Sequence, residues 1–291
     1  MEKQLLAFLD FLQIEYKYSN NTAAAYKNDL NQFVKFLLNG QYSQVTEWAD
    51  VSPEIVHDYV DFMKSKSYAS SSVARKVAAV KSFFNYLHAR SFIDENPTTD
   101  IESPRVKKRL PKTLTSDEVE RLLKAPATKT TPKNLRDIAL LTMLYTTGMR
   151  VTEVVSLHKK DIDLENNVLY CPGKDDEVRE LPFDELTKEV LTEYLEKGRP
   201  YLAKDKDEKA IFLNHRGQQL TRQGLWLIIK SYAQQAELKT AVTPHTLRHS
   251  FAAHKLESGS NLQEVQHLLG HANISTTQIY TQITEHEEGE S

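Results

Sequence analysis

The sequence predicts a mainly α-helical chain that carries one small β-sheet, and three observations predict it. Apolar residues recur at helical spacing along most of the chain. The alternation a strand needs is confined to a short stretch between Val168 and Leu181. Between Asn96 and Pro111 the helical period fails and Pro97, Pro104 and Pro111 punctuate the chain, which marks a linker. At 291 residues the chain exceeds the usual size of one core. Two domains are therefore expected: residues 1–103, a linker over 104–114, and residues 115–291.

The first domain reads as a bundle of three or four amphipathic helices. Asn21 and Thr22 are placed to cap a helix with Ala23, Tyr26, Leu30, Phe33, Val34 and Leu37 on one face, closing at Gly40. Ser52 and Pro53 form an N-cap and first-turn pair ahead of Val56, Tyr59, Val60 and Met63. A further helix puts Val73, Val77, Val80, Phe84 and Leu87 on one side, leaving Arg75, Lys76 and Lys81 as a cationic outer face.

The second domain opens with a capping box, Thr115 with Glu118. A buried helix runs over 135–145 and stops at Gly148. Val168 to Tyr170 and Val178 to Leu181 read as a hairpin around a polar turn, and helices resume near Asp184. IFLN, 211–214, reads as a short strand, and three helices begin near Thr221, Thr243–Pro244 and Asn261.

Composition narrows the function class. Hydrophobic residues are 40% and charged residues 26%, as in soluble globular proteins. No apolar run approaches the roughly 18 to 20 residues a membrane span needs. The first residues lack a basic start and an unbroken apolar block, so no signal peptide is read. The single cysteine, Cys171, fits a reducing compartment. A cytoplasmic protein without membrane contact is expected. With 37 Lys+Arg against 40 Asp+Glu the formal charge is −3, so a nucleic-acid partner must be argued from where the cations sit. They cluster in VARKVAAVK (73–81) and in RVKKRLPK (105–112), which holds Arg105, Lys107, Lys108 and Arg109.

Four segments carry candidate chemistry. In HTLRH (245–249), Thr243 caps and Pro244 starts a helix, so His245, Arg248 and His249 share a face near its N-terminus. Unpaired N–H groups and the positive dipole end make that a natural anion site. In LGH (269–271), Gly270 ends a helix and His271 leaves it in a new direction, with Tyr280 nine positions on. In TGMRVTEV (147–154), Arg150 begins a helix with Glu153 placed to buttress it; the planar guanidinium fork suits bidentate phosphate contact. Lys174 sits on the hairpin turn. Taken singly, each has an ordinary structural reading: an internal ion pair, a packed histidine, an exposed turn lysine.

Taken together they do not. TGMRVTEV, PGKDDEVRELP, HTLRH, LGH and the terminal tyrosine, in this order and spacing, resemble the tyrosine recombinases of the phage-integrase family. YASSSVARKVAAVKSFFNYL and KRLPKTLT further resemble the core-binding domain and linker of its Xer-like (XerC/XerD type) members. The resemblance runs over about residues 1–282. It implies a two-domain C-shaped DNA clamp, with a helical SAM-like core-binding domain ahead of the catalytic domain.

It also implies roles. Tyr280 is the nucleophile, forming a 3′-phosphotyrosyl bond. Arg150 and Arg248 grip the non-bridging oxygens, and Lys174 protonates the 5′-oxygen. His245 assists proton transfer at the tyrosine, His271 orients the phosphate, and Glu153 and His249 support. Arg75, Lys76, Lys81, Arg105, Lys107, Lys108 and Arg109 contact the DNA backbone. No cofactor or metal is implied, because the covalent intermediate retains the energy of the broken ester. The expected partners are double-stranded DNA, further recombinase copies in a homo-tetramer or, with a paralogous recombinase, a hetero-tetramer, and a DNA translocase. Two departures stand out: Asp175, Asp176 and Glu177 make the turn after Lys174 unusually acidic, and the eleven residues after Tyr280 are acidic too.

The expected function is Xer-type chromosome-dimer resolution at a short palindromic site. The integrase of a mobile element is the alternative, and a non-catalytic DNA-binding regulator a more distant one. A type IB topoisomerase shares the tyrosine chemistry but not the Xer-like first domain. A zinc hydrolase would use His245 and His249, but TLR between them lacks the glutamate of HExxH.

Overall fold

The computed structural model describes residues 1–102, 110–172, 178–281 and 283. The chain divides into two compact units, Met1–Lys108 and Arg109–Ser291.

The first unit holds four helices: α1 (Glu2–Ile14), α2 (Asn20–Leu38), α3 (Pro53–Ser65) and α4 (Ser70–Ala89). α2 starts earlier than the sequence suggests, because the Ser19 hydroxyl accepts the Thr22 N–H at 3.2 Å. Asn21 and Thr22 thus lie inside its first turn. The predicted stripes meet at the centre, where Phe33, Tyr59, Met63, Phe84 and Leu87 are fully buried. Phe33 meets Tyr59 edge-on at 4.9 Å between centroids, and Trp48 meets Phe83 at 4.7 Å. Such aromatic pairs add about 0.5–1.5 kcal/mol each beyond the area they bury.

The cationic face of α4 differs from expectation. Lys76 is only 9% exposed; its Nζ bonds Asp29 Oδ1 of α2 at 3.0 Å and sits over the Tyr68 ring. Arg75 is exposed but also pairs with Asp29. Lys81 donates to the Ile101 carbonyl at 2.8 Å. Asp29 is itself buried, and a buried carboxylate needs cationic partners. Lys76 therefore serves this domain internally rather than forming part of an outer face.

The second unit contains α5 (Ser116–Lys124), α6 (Pro132–Thr147), α7 (Val151–Ser156), β1 (Ile162–Asp163), β2 (Val168–Pro172) and β3 (Val178–Pro182). α8 (Glu185–Glu193), α9 (Arg199–Leu202), α10 (Arg222–Gln235), α11 (Pro244–Glu257) and α12 (Leu262–Leu269) follow. In this unit the predicted caps Thr115, Thr221, Thr243 and Asn261 all accept a backbone N–H from the first turn, whereas in the first unit Ser52 holds the N-cap position of α3 without a side-chain cap bond. The three strands form an antiparallel sheet in the order β1-β2-β3, with Leu169 opposite Leu181 and Cys171 opposite Arg179. The two-residue β1 was not anticipated. The expected strand at 211–214 is instead a buried segment joined to its surroundings by isolated bridges at Ala210 and Leu213. α6 runs through the middle of the core, with Leu140, Leu141 and Met143 fully buried. Leu114 is pinned to α11, its N–H donating to Ser250 Oγ at 2.8 Å. Among the described residues no helix is long and apolar enough to cross a membrane.

Candidate active site

α6 stops at Gly148, whose φ of 60° is left-handed, and a Cβ there would run into the Phe251 ring of α11. The chain turns at that point and delivers Arg150 to the N-cap of α7. The Arg150 N–H donates to Glu153 Oε2 at 2.7 Å, and its Nη1 donates to Glu153 Oε1 at 2.8 Å. Its Nη2 donates to the Gly270 carbonyl at 2.7 Å. The guanidinium is thereby aimed by two independent acceptors while its side chain stays 41% exposed.

Glu153 has a second cationic partner, Arg179 of β3, whose Nη2 donates to Oε2 at 3.0 Å. Burial alone would push the Glu153 carboxyl up, but the Arg150 N–H and the Arg179 and Arg150 guanidiniums together hold it below its ordinary value. The carboxylate is thus ionised at neutral pH.

Arg248, on the first turns of α11, is 5% exposed. Nη1 donates to the Gly148 carbonyl at 2.5 Å and Nη2 to the Leu269 carbonyl at 2.6 Å. These carbonyls lie at the C-terminal ends of α6 and α12, where the helix dipole favours a cation. Burial and then the neighbouring Arg150 lower its pKa to about 10, so it remains charged. Arg150, Arg179 and Arg248 thus converge around one described carboxylate, leaving the site electropositive.

The histidines divide by environment. His245 is exposed at the start of α11. His249 and His271 are each lowered to about 4, by burial first and then by His245 and Arg248 for the one and by Arg248 and Arg150 for the other, so both rings are neutral at neutral pH. His271 Nδ1 lies 2.9 Å from Thr277 Oγ1, which fixes its ring after the turn at Gly270.

Residues 278–281 are helical and carry Tyr280, which is 2% exposed. Tyr280 packs with Phe251, Ala252, Val265, Leu269 and Ile283. Burial raises its pKa, and the Arg248 charge opposes that rise. Its Oη lies 2.8 Å from His249 Nδ1. No other described hydrogen bond reaches that hydroxyl, so the phenol is the donor. Were Nδ1 protonated instead, a buried O–H would be left unpaired at a cost of about 1–3 kcal/mol.

A cleft of about 930 Å³ exposes this constellation, lined by Arg150, Arg248, His245, His249, His271 and Tyr280. Of the six sequence-predicted catalytic residues, five converge here. Lys174 lies outside the described residues, as do Arg105, Lys107, Lys108 and Arg109. Arg222 and Trp226 of α10 also line the cleft and were not singled out from the sequence. Arg179 was missed as well, although it falls on the inward phase of VRELP with Leu181, an unusual place for an arginine.

This geometry sets guanidiniums around a cleft beside a phenol bonded to a neutral imidazole, a donor set suited to holding a phosphate. Residues 112–287 match the phage integrase family and residues 5–91 match the phage integrase N-terminal SAM-like domain. The chain belongs to the phage integrase family. It is 46% identical, over 98% of its length and 92% of the relative, to Tyrosine recombinase XerC of Herpetosiphon aurantiacus. It is 40% identical, over 98% of its length and 94% of the relative, to Tyrosine recombinase XerD of Halalkalibacterium halodurans. In fold it is similar to XerH site-specific recombinase bound to palindromic difH substrate in a post-cleavage complex. That match has a TM-score of 0.80 and 22% identity, and covers 100% of this chain and 83% of that one. It is likewise similar to a lambda integrase dimer bound to a COC′ core site, with TM-score 0.75 and 18% identity over 96% and 94% of the two chains.

Proposed function

We propose that this protein is a site-specific tyrosine recombinase of the Xer type, which cuts and rejoins double-stranded DNA to resolve chromosome dimers at a short palindromic site. The observation that carries the chemistry is the buried Tyr280 phenol, bonded to His249 in the same cleft as Arg150 and Arg248. Tyr280 Oη attacks the scissile phosphorus and the 5′-oxygen leaves, giving a 3′-phosphotyrosyl bond and a free 5′-hydroxyl. Arg150 and Arg248 donate to the non-bridging oxygens as charge builds on phosphorus, and losing one such donor costs about 10²–10³ in rate. His271 orients the phosphate, His245 takes part in proton transfer, and Lys174 protonates the leaving oxygen.

Residues 1–103 act as the core-binding domain and 115–291 as the catalytic domain. Arg75 and the linker cations Arg105, Lys107, Lys108 and Arg109 meet the DNA backbone, which positions the protein without reading sequence. The working assembly is a tetramer on DNA, of this chain alone or together with a paralogous recombinase, with a DNA translocase as a further partner, in the cytoplasm.

The test is a suicide substrate, a nicked duplex carrying resolution-type sites, mixed with wild type and Tyr280→Phe and run on a denaturing gel. A covalent protein–DNA band that is lost in the Phe variant is expected. Tight binding without a band on any candidate or genomic site would favour a non-catalytic binder.

A further inference from the structure

The sequence places His249 among the supporting residues and gives proton transfer to His245, yet the described hydrogen bond to the nucleophile comes from His249. Its Nδ1 is 2.8 Å from Tyr280 Oη, with ring centroids 5.5 Å apart. His245, one turn earlier on the same face of α11, has its ring centroid 6.3 Å from that of His249 and is exposed. His271 stacks on the Tyr280 ring at 6.5 Å, but its Nδ1 is engaged by Thr277.

We propose that His249 is a catalytic residue, the base that receives the Tyr280 proton as the phenol attacks DNA. The proposal rests on the recombinase reading above and names who moves the proton within it. A base must lie within hydrogen-bond reach of the proton it takes, and only His249 does so among the described histidines. The step balances. The bond from Tyr280 Oη to phosphorus forms while the bond from phosphorus to the 5′-oxygen breaks. The phenol proton passes to Nδ1, making His249 an imidazolium, and the 5′-oxygen is protonated by the general acid assigned to Lys174. Religation runs the same path backwards, the imidazolium returning its proton to the departing tyrosine.

The groups facing His249 are His245 and Arg248 on its own helix, and Tyr280 and His271 from the segments packed against it. Burial, then His245 and Arg248, keep the ring deprotonated at neutral pH, so the acceptor is always available. The phosphate that enters the cleft brings the negative charge that stabilises the imidazolium in the transition state. Proton acceptance is thereby coupled to the presence of DNA.

The test is single-turnover cleavage of the suicide substrate by His249→Asn. The Asn amide oxygen can accept the phenol hydrogen bond but cannot carry its proton away. The expected result is a rate lowered by about 10²–10⁴, with DNA affinity and unfolding midpoint unchanged. The deficit should shrink as pH rises toward ionisation of the phenol itself. It should persist on a substrate whose 5′-oxygen is replaced by sulfur, which leaves without protonation; loss of the general acid would be rescued there. If His249→Asn does not fold, placing an acidic fluorinated tyrosine at position 280 of the otherwise native chain should flatten the pH dependence. Cleavage by His249→Asn within about threefold of wild type would overturn the proposal, as would full rescue by the sulfur substrate. Tyr280→Phe, run alongside, separates the two failures. If it cleaves, the recombinase reading itself falls; if it is inert while His249→Asn is normal, this inference alone falls.

Discussion

Gly270→Ala is expected to damage stability and cleavage together, and Gly259→Ala supplies its control. Gly270 closes α12 at φ 61° and ψ 47°, a left-handed conformation that costs an L-residue about 1–2 kcal/mol. Gly259 also has positive φ, 94°, but nothing lies within 4 Å of a Cβ built there, so Gly259→Ala carries the backbone cost alone. At Gly270 the new methyl would overlap Arg179 Nη1 and sit 3.5 Å from Arg150 Nη1. Arg179 is 8% exposed and cannot swing into solvent, so its guanidinium is forced off Glu153. A hydrogen bond to a charged group contributes about 1.5–3 kcal/mol. Gly270→Ala should therefore cost about 2.5–5 kcal/mol, against about 1–2 for Gly259→Ala. Urea unfolding reads the difference as a shift in midpoint at unchanged slope. Because the Gly270 carbonyl also aims Arg150, covalent-complex formation should drop by about 10²–10³ in Gly270→Ala and stay at wild-type level in Gly259→Ala. Equal midpoints and equal cleavage in the two variants would refute the argument that Arg179 and Gly270 jointly hold the site.

Three further outcomes are expected. The Glu153 carboxyl is depressed below its ordinary value of 4.5, so the stability it lends is fully present above that pH and is lost as pH falls through the folded value; an acid titration of stability should be shallower in Glu153→Gln than in wild type. Asp29→Ala leaves Lys76 buried without its carboxylate and should lower stability of the first unit by about 3 kcal/mol in urea unfolding, whereas exposed Asp61→Ala should change it by under about 1 kcal/mol. Cys171 is fully buried and burial pushes its thiol up to about 12, so a thiol reagent should label it only on unfolding; rapid labelling of the native protein would contradict its place in β2.

Helix starts were legible at Thr115, Thr221, Thr243 and Asn261, whereas α6 begins at Pro132 behind the Thr131 cap, three residues ahead of the apolar run that reveals it. At α2 the run Ser19, Asn20, Asn21, Thr22 offers four side chains of similar capping strength, and only the fold selects Ser19. β1 is two residues long, too short for alternation to register. The apolar run at 211–214 has a strand's composition but finds only isolated bridges, because burial and strand pairing leave the same local trace. Charge alone points Lys76 outward. It lies at i+3 from Val73 and i−4 from Val80, at the edge of the apolar stripe, and Asp29 on another helix decides its fate. In the site, the order of the motifs exposed Arg150, His245, Arg248, His271 and Tyr280. Which histidine touches the phenol depends on how α11 meets residues 278–281, and no spacing within either segment encodes that.

The Arg248 anchorage has a consequence for when this protein can cut. Its guanidinium spans a carbonyl one hundred residues earlier in the chain and another twenty-one residues later. No fragment lacking either end can hold it, and loosening any one of the three helices it joins releases it. If Arg248 grips the scissile phosphate as proposed, competence to break DNA is conferred all at once by the finished tertiary structure. A partly folded or partly melted chain, though still rich in helix, is then expected to leave DNA uncut.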